Sequence, residues 1–140
     1  MTKSTQTRLL RAARAAAKNA YAPFSKFKVG AAVLTGSGRI FSGSNIENSS
    51  YGLTICAERV AIFKAVSAGQ RDITAVAVFA PSPQSKIGNR KSKMPLLTPP
   101  CGACLQVINE FGEDVEIILS NERSTKTYCL RELLPLGFRL

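Results

Sequence analysis

Two short stretches decide the fold: Thr54-Ile55-Cys56-Ala57-Glu58-Arg59 and Pro99-Pro100-Cys101-Gly102-Ala103-Cys104. Cys101 and Cys104 form a C-x-x-C pair, whose two thiolates can bind one tetrahedral metal ion. Cys56 would supply a third thiolate and leave a fourth position open for water, as in catalytic zinc sites. Glu58 could then take a proton from that water and pass it to a substrate.

Both stretches are predicted to begin helices. Helix-forming residues follow Cys56 as far as Gly69, and a second such run follows Pro100 as far as Gly112. A helix N-terminus carries partial positive charge and unpaired N–H groups, which favour a thiolate over a thiol. Two helix starts placed side by side would therefore hold three thiolates against one cation. Because three thiolates leave a zinc centre negative, Arg59 is a candidate donor to their sulfurs.

The cysteines by themselves leave other interpretations open. A C-x-x-C pair also occurs in redox-active sites and in structural zinc sites. The fourth cysteine, Cys129, could complete a closed site of four thiolates, but its apolar, strand-like surroundings favour a packed and unreactive thiol. The chain contains no histidine, so sites that need imidazole ligands are excluded.

Longer motifs extend the pattern. Cys56-Ala57-Glu58, followed later by Pro100-Cys101-Gly102-Ala103-Cys104, fits the ligand-x-Glu and P-C-x-x-C signature of zinc nucleobase deaminases in its three-cysteine form. Three further motifs accompany it: YAPFSKFKVGAA at residues 21–32, GSNIENSSYG at 43–52 and LLPLGF at 133–138. In this order, and over most of the chain, the sequence resembles the small homotetrameric zinc-dependent cytidine deaminases.

This resemblance implies an enzyme that hydrolytically deaminates cytidine and 2′-deoxycytidine to uridine and 2′-deoxyuridine, releasing ammonia. It implies one Zn²⁺ per subunit, bound by Cys56, Cys101 and Cys104, which would activate the water that attacks C4 of the base. Glu58 would protonate N3 and then help ammonia leave.

The resemblance also implies a set of substrate contacts. Asn45 and Glu47 match positions that hydrogen-bond the ribose hydroxyls, and Phe24 matches an aromatic residue that packs on the nucleoside. The backbone of Ala57 would contact the pyrimidine. The positions that can reach a neighbouring subunit's site are those of Tyr51 and Phe138.

Physical reasoning agrees with the roles of Asn45 and Glu47. These residues alternate along the end of a predicted strand, so both side chains should face the same side. An acceptor and an amide suit a sugar diol, and a site that buries them would reject a ligand lacking the hydroxyl. Without the resemblance, the same residues would be interpreted as a polar loop.

Composition indicates one soluble domain spanning residues 1–140, with 45% hydrophobic and 20% charged residues. No apolar run approaches the ~20 residues of a membrane span. The polar, basic N-terminus lacks a long apolar segment, so we expect a cytoplasmic protein. Four cysteines with C-x-x-C spacing favour a metal site over disulfides.

Alternating strands and helices predict an α/β fold, a three-layer α/β/α sandwich around a mixed sheet of about five strands. The predicted helices are 4–19, 56–68 and 102–110, with a final turn at 131–134. The predicted strands are 27–34, 39–44, 73–80, 115–120 and 126–130. Small residues at Gly30, Ala31 and Ala32 indicate that another element packs closely there.

The sequence departs from the resembled family in three respects. Residues 81–100 form a longer, basic loop, interpreted as a lid, an altered interface, an anion-binding segment or a plain surface insertion. Leu105 stands where an arginine is expected, which removes a salt bridge without affecting the chemistry. Lys and Arg number 19 against 9 acidic residues, for a net charge of +10.

Three alternative functions remain at this stage. The chain could be a deaminase of another aminopyrimidine nucleoside such as blasticidin S, although the retained Asn45 and Glu47 argue against it. The basic charge could belong to a nucleic-acid-binding or editing deaminase, but a carboxylate beside the sugar would repel phosphate. A structural zinc protein would need Cys129 as a fourth ligand. We expect a free nucleoside as the partner, without nucleic acid or membrane.

Overall fold

The computed structural model describes residues 1–82 and 97–140. Its helices are α1 (Lys3–Ala17), α2 (Ala57–Ser67), α3 (Gly102–Phe111) and α4 (Leu130–Leu133), and Tyr51–Leu53 forms one 3-10 turn. Its strands are β1 (Gly30–Thr35), β2 (Ile40–Ser44), β3 (Ile73–Phe79), β4 (Glu116–Ser120) and β5 (Thr125–Cys129). Every helix and strand predicted from the sequence is present.

The five strands form one mixed sheet in the order β2-β1-β3-β4-β5. Strands β3 and β4 are parallel, and the other three pairs are antiparallel. Because β3 and β4 are parallel, the chain must cross over between them, and α3 lies in that connection. The carboxyl ends of β3 and β4 therefore share one edge of the sheet.

Helices cover both faces of the sheet, which confirms the three-layer α/β/α prediction. On one face, α1 buries Leu9 and Ala13 against small side chains of β1 and β3 and against Ile118 of β4. On the other face, α2 and α3 share a larger core with β1, β3 and β4. Leu105 of α3 belongs to that core and is 8% exposed. An apolar side chain at this position therefore packs in the core.

Glycines let the helices approach the sheet closely. A Cβ added at Gly30 would collide with the carbonyl oxygen of Ala13 and would lie 2.5 Å from the amide nitrogen of Ala17, both in α1. On the opposite face, a Cβ at Gly43 would lie 2.7 Å from the amide nitrogen of Ala61 in α2. The close packing predicted at residues 30–32 is therefore a contact between the sheet and the helix backbone.

Two sequence-based expectations were wrong in detail. The predicted strand 27–34 begins only at Gly30, because the Phe27 carbonyl and the Val29 N–H bond the side chain of Asn45 instead of a neighbouring strand. Cys129 was expected to be packed, but it is exposed. It ends the edge strand β5, in which alternate residues point outward while Tyr128 faces the core.

Most of the basic loop expected at residues 81–100 lies outside the described residues. Of its flanks, Ser82 donates hydrogen bonds from its amide and its hydroxyl to the Glu122 carboxylate. Leu97 packs against the α2–α3 core, and Pro100 is buried. Among the helices described, none is long and apolar enough to cross a membrane.

Replacing Gly30 with alanine should lower the free energy of unfolding by about 2–3 kcal/mol, because the added methyl group must displace the α1 backbone. Gly52→Ala is the matched control, since a Cβ there meets no atom within 4 Å, and its effect should stay within about 0.5 kcal/mol. Urea unfolding followed by circular dichroism measures both values. Equal stability of the two variants would contradict the close helix–sheet contact.

Candidate functional site

Three thiols meet where α2 and α3 begin. Cys56 is the N-cap residue of α2, and Cys101 is the N-cap residue of α3. The Cys56 and Cys101 sulfurs are 3.7 Å apart, and those of Cys101 and Cys104 are 3.5 Å apart. All three sulfurs lie within 4.8 Å of one another. Cys56, which lies more than forty positions before Cys101, is thus brought next to the C-x-x-C pair, as predicted.

This cluster has the geometry that a tetrahedral zinc ion requires. Zinc–sulfur bonds of about 2.3 Å at tetrahedral angles place two sulfurs about 3.8 Å apart. The separations of 3.7 and 3.5 Å fall close to that value. Within residues 1–82 and 97–140, these three cysteines are the one group of potential ligands that converges, and Cys129 is not part of it. A closed site of four thiolates is therefore wrong, and the donor set matches an open zinc site.

Positive groups surround the thiols. The Nη2 of Arg59 donates a hydrogen bond to the Cys56 sulfur at 3.4 Å. A hydrogen bond from the Cys104 thiol, together with Arg59, outweighs burial and lowers the pKa of Cys56 to about 5. The hydrogen bond with Cys56 raises the pKa of Cys104 above its usual range, so Cys56 is the first of this pair to ionise. The sequence-based interpretation of Arg59 as a donor to the thiolates therefore has the expected geometry.

Glu58 lies in the first turn of α2 beside these thiols. It is 4% exposed, which is unusual for a carboxyl group. Burial raises its pKa to about 7, and the neighbouring charge of Cys56 adds to the increase. A carboxyl group with such a pKa can both accept and donate a proton near neutral pH. Ala57, between Cys56 and Glu58, is fully buried and fixes the start of the helix in the core.

A short ladder joins a second group of predicted residues to the thiols. Ile46 exchanges two backbone hydrogen bonds, each of 3.0 Å, with Ile55, the residue before Cys56. Asn45 and Glu47 flank Ile46 and therefore share one side of this segment. The strand β2 ends at Ser44, so these residues follow the strand. The ladder therefore anchors this segment to the residue that precedes Cys56.

Both side chains bond the loop that precedes β1. Asn45 accepts a hydrogen bond from the Val29 N–H at 2.9 Å and donates one to the Phe27 carbonyl at 2.8 Å. Glu47 accepts hydrogen bonds from the Phe24 N–H at 2.9 Å and from the Ser25 N–H at 3.1 Å. The predicted binding residues therefore also organise this loop, which the sequence did not indicate.

The predicted aromatic residues occupy two places. Phe24 and Tyr51 pack edge to face, with ring centroids 5.6 Å apart, and their side chains remain 49% and 74% exposed. Phe138 lies on the C-terminal segment, where its carbonyl accepts hydrogen bonds from Gln106 and Asn109 of α3. The ring of Phe138 is 65% exposed.

No role for Ser25 follows from the sequence, although this residue lies in the motif at residues 21–32. The Ser25 hydroxyl donates a hydrogen bond of 2.5 Å to Glu47. The next residue, Lys26, is the one non-glycine residue of positive φ among those described, and the sequence does not indicate this either. A contact over more than twenty positions has no local signature, so this bond could not be predicted.

Comparison with known proteins identifies the family. A family model described as the cytidine and deoxycytidylate deaminase zinc-binding region matches residues 3–120. The chain belongs to this family. Family membership and the three-thiol cluster together identify Zn²⁺ as its cofactor.

Similar proteins cover nearly the whole chain. A cytidine deaminase of Halalkalibacterium halodurans is 45% identical over 93% of this chain and 91% of its own length. A cytidine deaminase of Sporosarcina psychrophila is 47% identical over 94% of this chain and 89% of its own length. The crystal structure of the cytidine deaminase from Burkholderia pseudomallei superposes with a TM-score of 0.81 at 42% identity, covering 99% of this chain and all of that one.

Zinc retention tests the ligand cluster. Cys101→Ser should abolish binding of zinc at one ion per chain, whereas Cys129→Ser should keep it, because Cys129 lies outside the cluster. Arg59→Gln should weaken zinc binding about 10-fold to 100-fold by removing the donor to the Cys56 sulfur. Elemental analysis and competition with a chromogenic chelator give these values. Zinc loss in Cys129→Ser, or full retention in Cys101→Ser, would contradict the assignment.

Proposed function

We propose that this protein is a zinc-dependent cytidine deaminase that converts cytidine and 2′-deoxycytidine to uridine and 2′-deoxyuridine with release of ammonia. The observation that carries the proposal is a buried Glu58 beside three thiols spaced for one tetrahedral zinc ion. Membership of the deaminase family and the cytidine deaminase relatives support it.

Three cysteines would hold the ion: Cys56, Cys101 and Cys104. Bound there, Zn²⁺ supplies the Lewis acidity that makes a water molecule nucleophilic at neutral pH. Arg59 and the N-termini of α2 and α3 offset the negative charge of the thiolates. The protein thereby keeps a three-thiolate centre electrophilic enough for hydrolysis.

Glu58 would move the protons of the reaction. Its burial excludes water from the carboxyl group, so a proton accepted there is delivered to the substrate. We assign it two transfers. It would pass one proton of the attacking water to N3 of the cytosine ring as oxygen bonds to C4, and then the proton of the new C4 hydroxyl to the amino group, which leaves as ammonia when the C4–N bond breaks. The rigid first turn of α2 holds it next to the thiols, while the backbone of Ala57 would contact the pyrimidine.

The sugar would bind at Asn45 and Glu47, and Phe24 would pack on the nucleoside. Hydrogen bonds, first from the Ser25 hydroxyl and then from the Phe24 and Ser25 amides, lower the pKa of Glu47, so its carboxylate is negative at neutral pH. A negative charge beside the sugar repels a 5′-phosphate, which favours free nucleosides over nucleotides and nucleic acid.

We also propose that the enzyme is a homotetramer, with Tyr51 and Phe138 reaching the site of a neighbouring subunit. Exposed apolar side chains support an interface between copies, since Tyr51 is 74%, Leu53 70% and Phe138 65% exposed. The whole chain would form one catalytic domain. Its thiolate ligands require a reducing compartment, which supports a cytoplasmic location.

Turnover of a substrate panel tests the activity. Purified, zinc-loaded protein should convert cytidine and 2′-deoxycytidine, but not CMP or cytosine, as followed by ultraviolet absorbance. Glu58→Gln should lower kcat by about 10²- to 10⁴-fold, because the amide cannot carry the proton, and zinc content should stay unchanged.

Glu116→Gln is the matched control, because it makes the same change at a carboxylate that is exposed, at the start of β4. It should keep wild-type turnover. Blasticidin S and single-stranded DNA complete the panel. Conversion of either of these by folded, zinc-replete protein that leaves both nucleosides untouched would overturn the proposed function.

Sedimentation velocity tests the assembly. For the proposed homotetramer, the particle mass obtained from sedimentation should be about four times the chain mass of 15.0 kDa. Leu53→Asp should lower this mass, because a carboxylate would be buried at an apolar contact, while Lys3→Asp at the start of α1 serves as the control. A monomer at micromolar concentration would contradict the proposal.

A further inference from the structure

The loop between α1 and β1 is bonded to two side chains of the segment after β2. Glu47 receives three hydrogen bonds from Phe24 and Ser25. Asn45 receives one from Val29 and donates one to Phe27. These five bonds span residues 24–29, so the loop supports the two side chains that the proposed function places at the sugar.

The bonds to Glu47 leave little of its accepting capacity free. Its Oε1 accepts the N–H groups of Phe24 and Ser25 at 2.9 and 3.1 Å, and its Oε2 accepts the Ser25 hydroxyl at 2.5 Å. An ionised carboxylate offers about four acceptor directions. Three are filled, so the remaining direction belongs to Oε2, the oxygen that Ser25 holds.

Ser25 is fixed from both sides. Its hydroxyl donates to Glu47 and accepts a hydrogen bond from the Phe27 N–H at 3.0 Å. Because its one proton is committed to Oε2, the hydroxyl fixes the position of that oxygen. Without this bond the two amide hydrogen bonds would still hold the carboxylate at Oε1, but Oε2 could shift about the last torsion of Glu47, which is broad.

The backbone of Lys26, the residue after Ser25, is strained, which agrees with a role of this loop in holding Asn45 and Glu47. Lys26 has a φ of 60°, in the left-handed region that side chains other than glycine rarely adopt. Its N–H closes the turn on the Ala22 carbonyl at 2.9 Å. Such strain persists where surrounding contacts hold it, and it clusters at functional sites. The turn directs the Phe27 carbonyl and the Val29 N–H back to Asn45.

We propose that Ser25 is a positioning residue that orients the Glu47 carboxylate, through its Oε2, toward one hydroxyl group of the substrate's sugar. This inference rests on the proposed function. Asn45 is similarly held by Phe27 and Val29, and toward residues 1–82 and 97–140 it keeps one N–H and one acceptor direction free for the same sugar. The α1–β1 loop therefore sets selectivity for a hydroxylated sugar through the two side chains that it holds, Asn45 and Glu47.

Steady-state kinetics with two substrates tests the role of Ser25. With cytidine, Ser25→Ala should raise KM about tenfold, the size expected for a hydrogen bond to a charged group, and change kcat by less than about twofold. With 2′,3′-dideoxycytidine, which lacks the 2′- and 3′-hydroxyls that would donate to Glu47, the same variant should change kcat/KM by less than about twofold. Ser25→Thr, which keeps the hydroxyl, should restore most of the affinity for cytidine.

Ser37→Ala is the matched control, because the Ser37 hydroxyl is also hydrogen-bonded, to Thr35 and Gln70, but in the β1–β2 turn. It should behave as the wild type with both substrates. If dideoxycytidine is turned over too slowly, its inhibition constant against cytidine replaces kcat/KM. Zinc content and circular dichroism check that each variant is folded.

The outcomes distinguish failure of the positioning role of Ser25 from failure of the proposed function. Equal losses with cytidine and dideoxycytidine would show a merely structural role and overturn the positioning of the sugar. An unaffected KM for cytidine in Ser25→Ala would overturn it as well. Failure of the wild-type protein to deaminate cytidine would instead refute the proposed function, on which the role of Ser25 depends.

Discussion

The metal site requires three thiols, which repel one another as thiolates, to lie within bonding distance of one cation. The Cys56, Cys101 and Cys104 sulfurs come from two helix N-termini, and neighbouring sulfurs are 3.5 and 3.7 Å apart. Helix N-termini and the guanidinium of Arg59 supply the positive potential that makes this proximity tolerable. The sheet topology brings the two helix starts together, because α2 leads into β3 and α3 follows it.

Close packing makes this arrangement rigid. Gly43 lets the backbone of α2 lie directly on the sheet, and Gly30 does the same for α1 on the other face. Leu105 and Ala57 extend the core to the first turns of α3 and α2, next to the metal ligands. Glu58 can be buried in such a place because burial raises its pKa to about 7, so that the carboxyl group can carry a proton instead of a charge near neutral pH. Stability and chemistry therefore depend on the same few contacts.

A set of backbone and side-chain hydrogen bonds lies next to the metal site. The Ile46–Ile55 pair ties the segment after β2 to the residue before Cys56. Asn45 and Glu47 extend from that segment and hold the α1–β1 loop through side-chain hydrogen bonds. The proposed sugar site is thus built from polar contacts, while the metal site is built from apolar packing. Polar contacts of this kind suit selection of a hydroxylated ligand, because an unpaired partner left in the site is costly.

The helices and strands could be predicted from the sequence alone, because periodicity and helix starts are local. The convergence of Cys56 on the C-x-x-C pair could be predicted for a chemical reason, since a zinc ion needs more ligands than the two thiolates of that pair. The sequence also indicated Glu58 beside the metal. Only the tertiary structure decided which face each strand residue takes, so that Cys129 is exposed on an edge strand and Leu105 is buried. It likewise decided that Ser25 meets Glu47, since a hydrogen bond between distant segments depends on how the chain folds back and leaves no periodic pattern in the sequence.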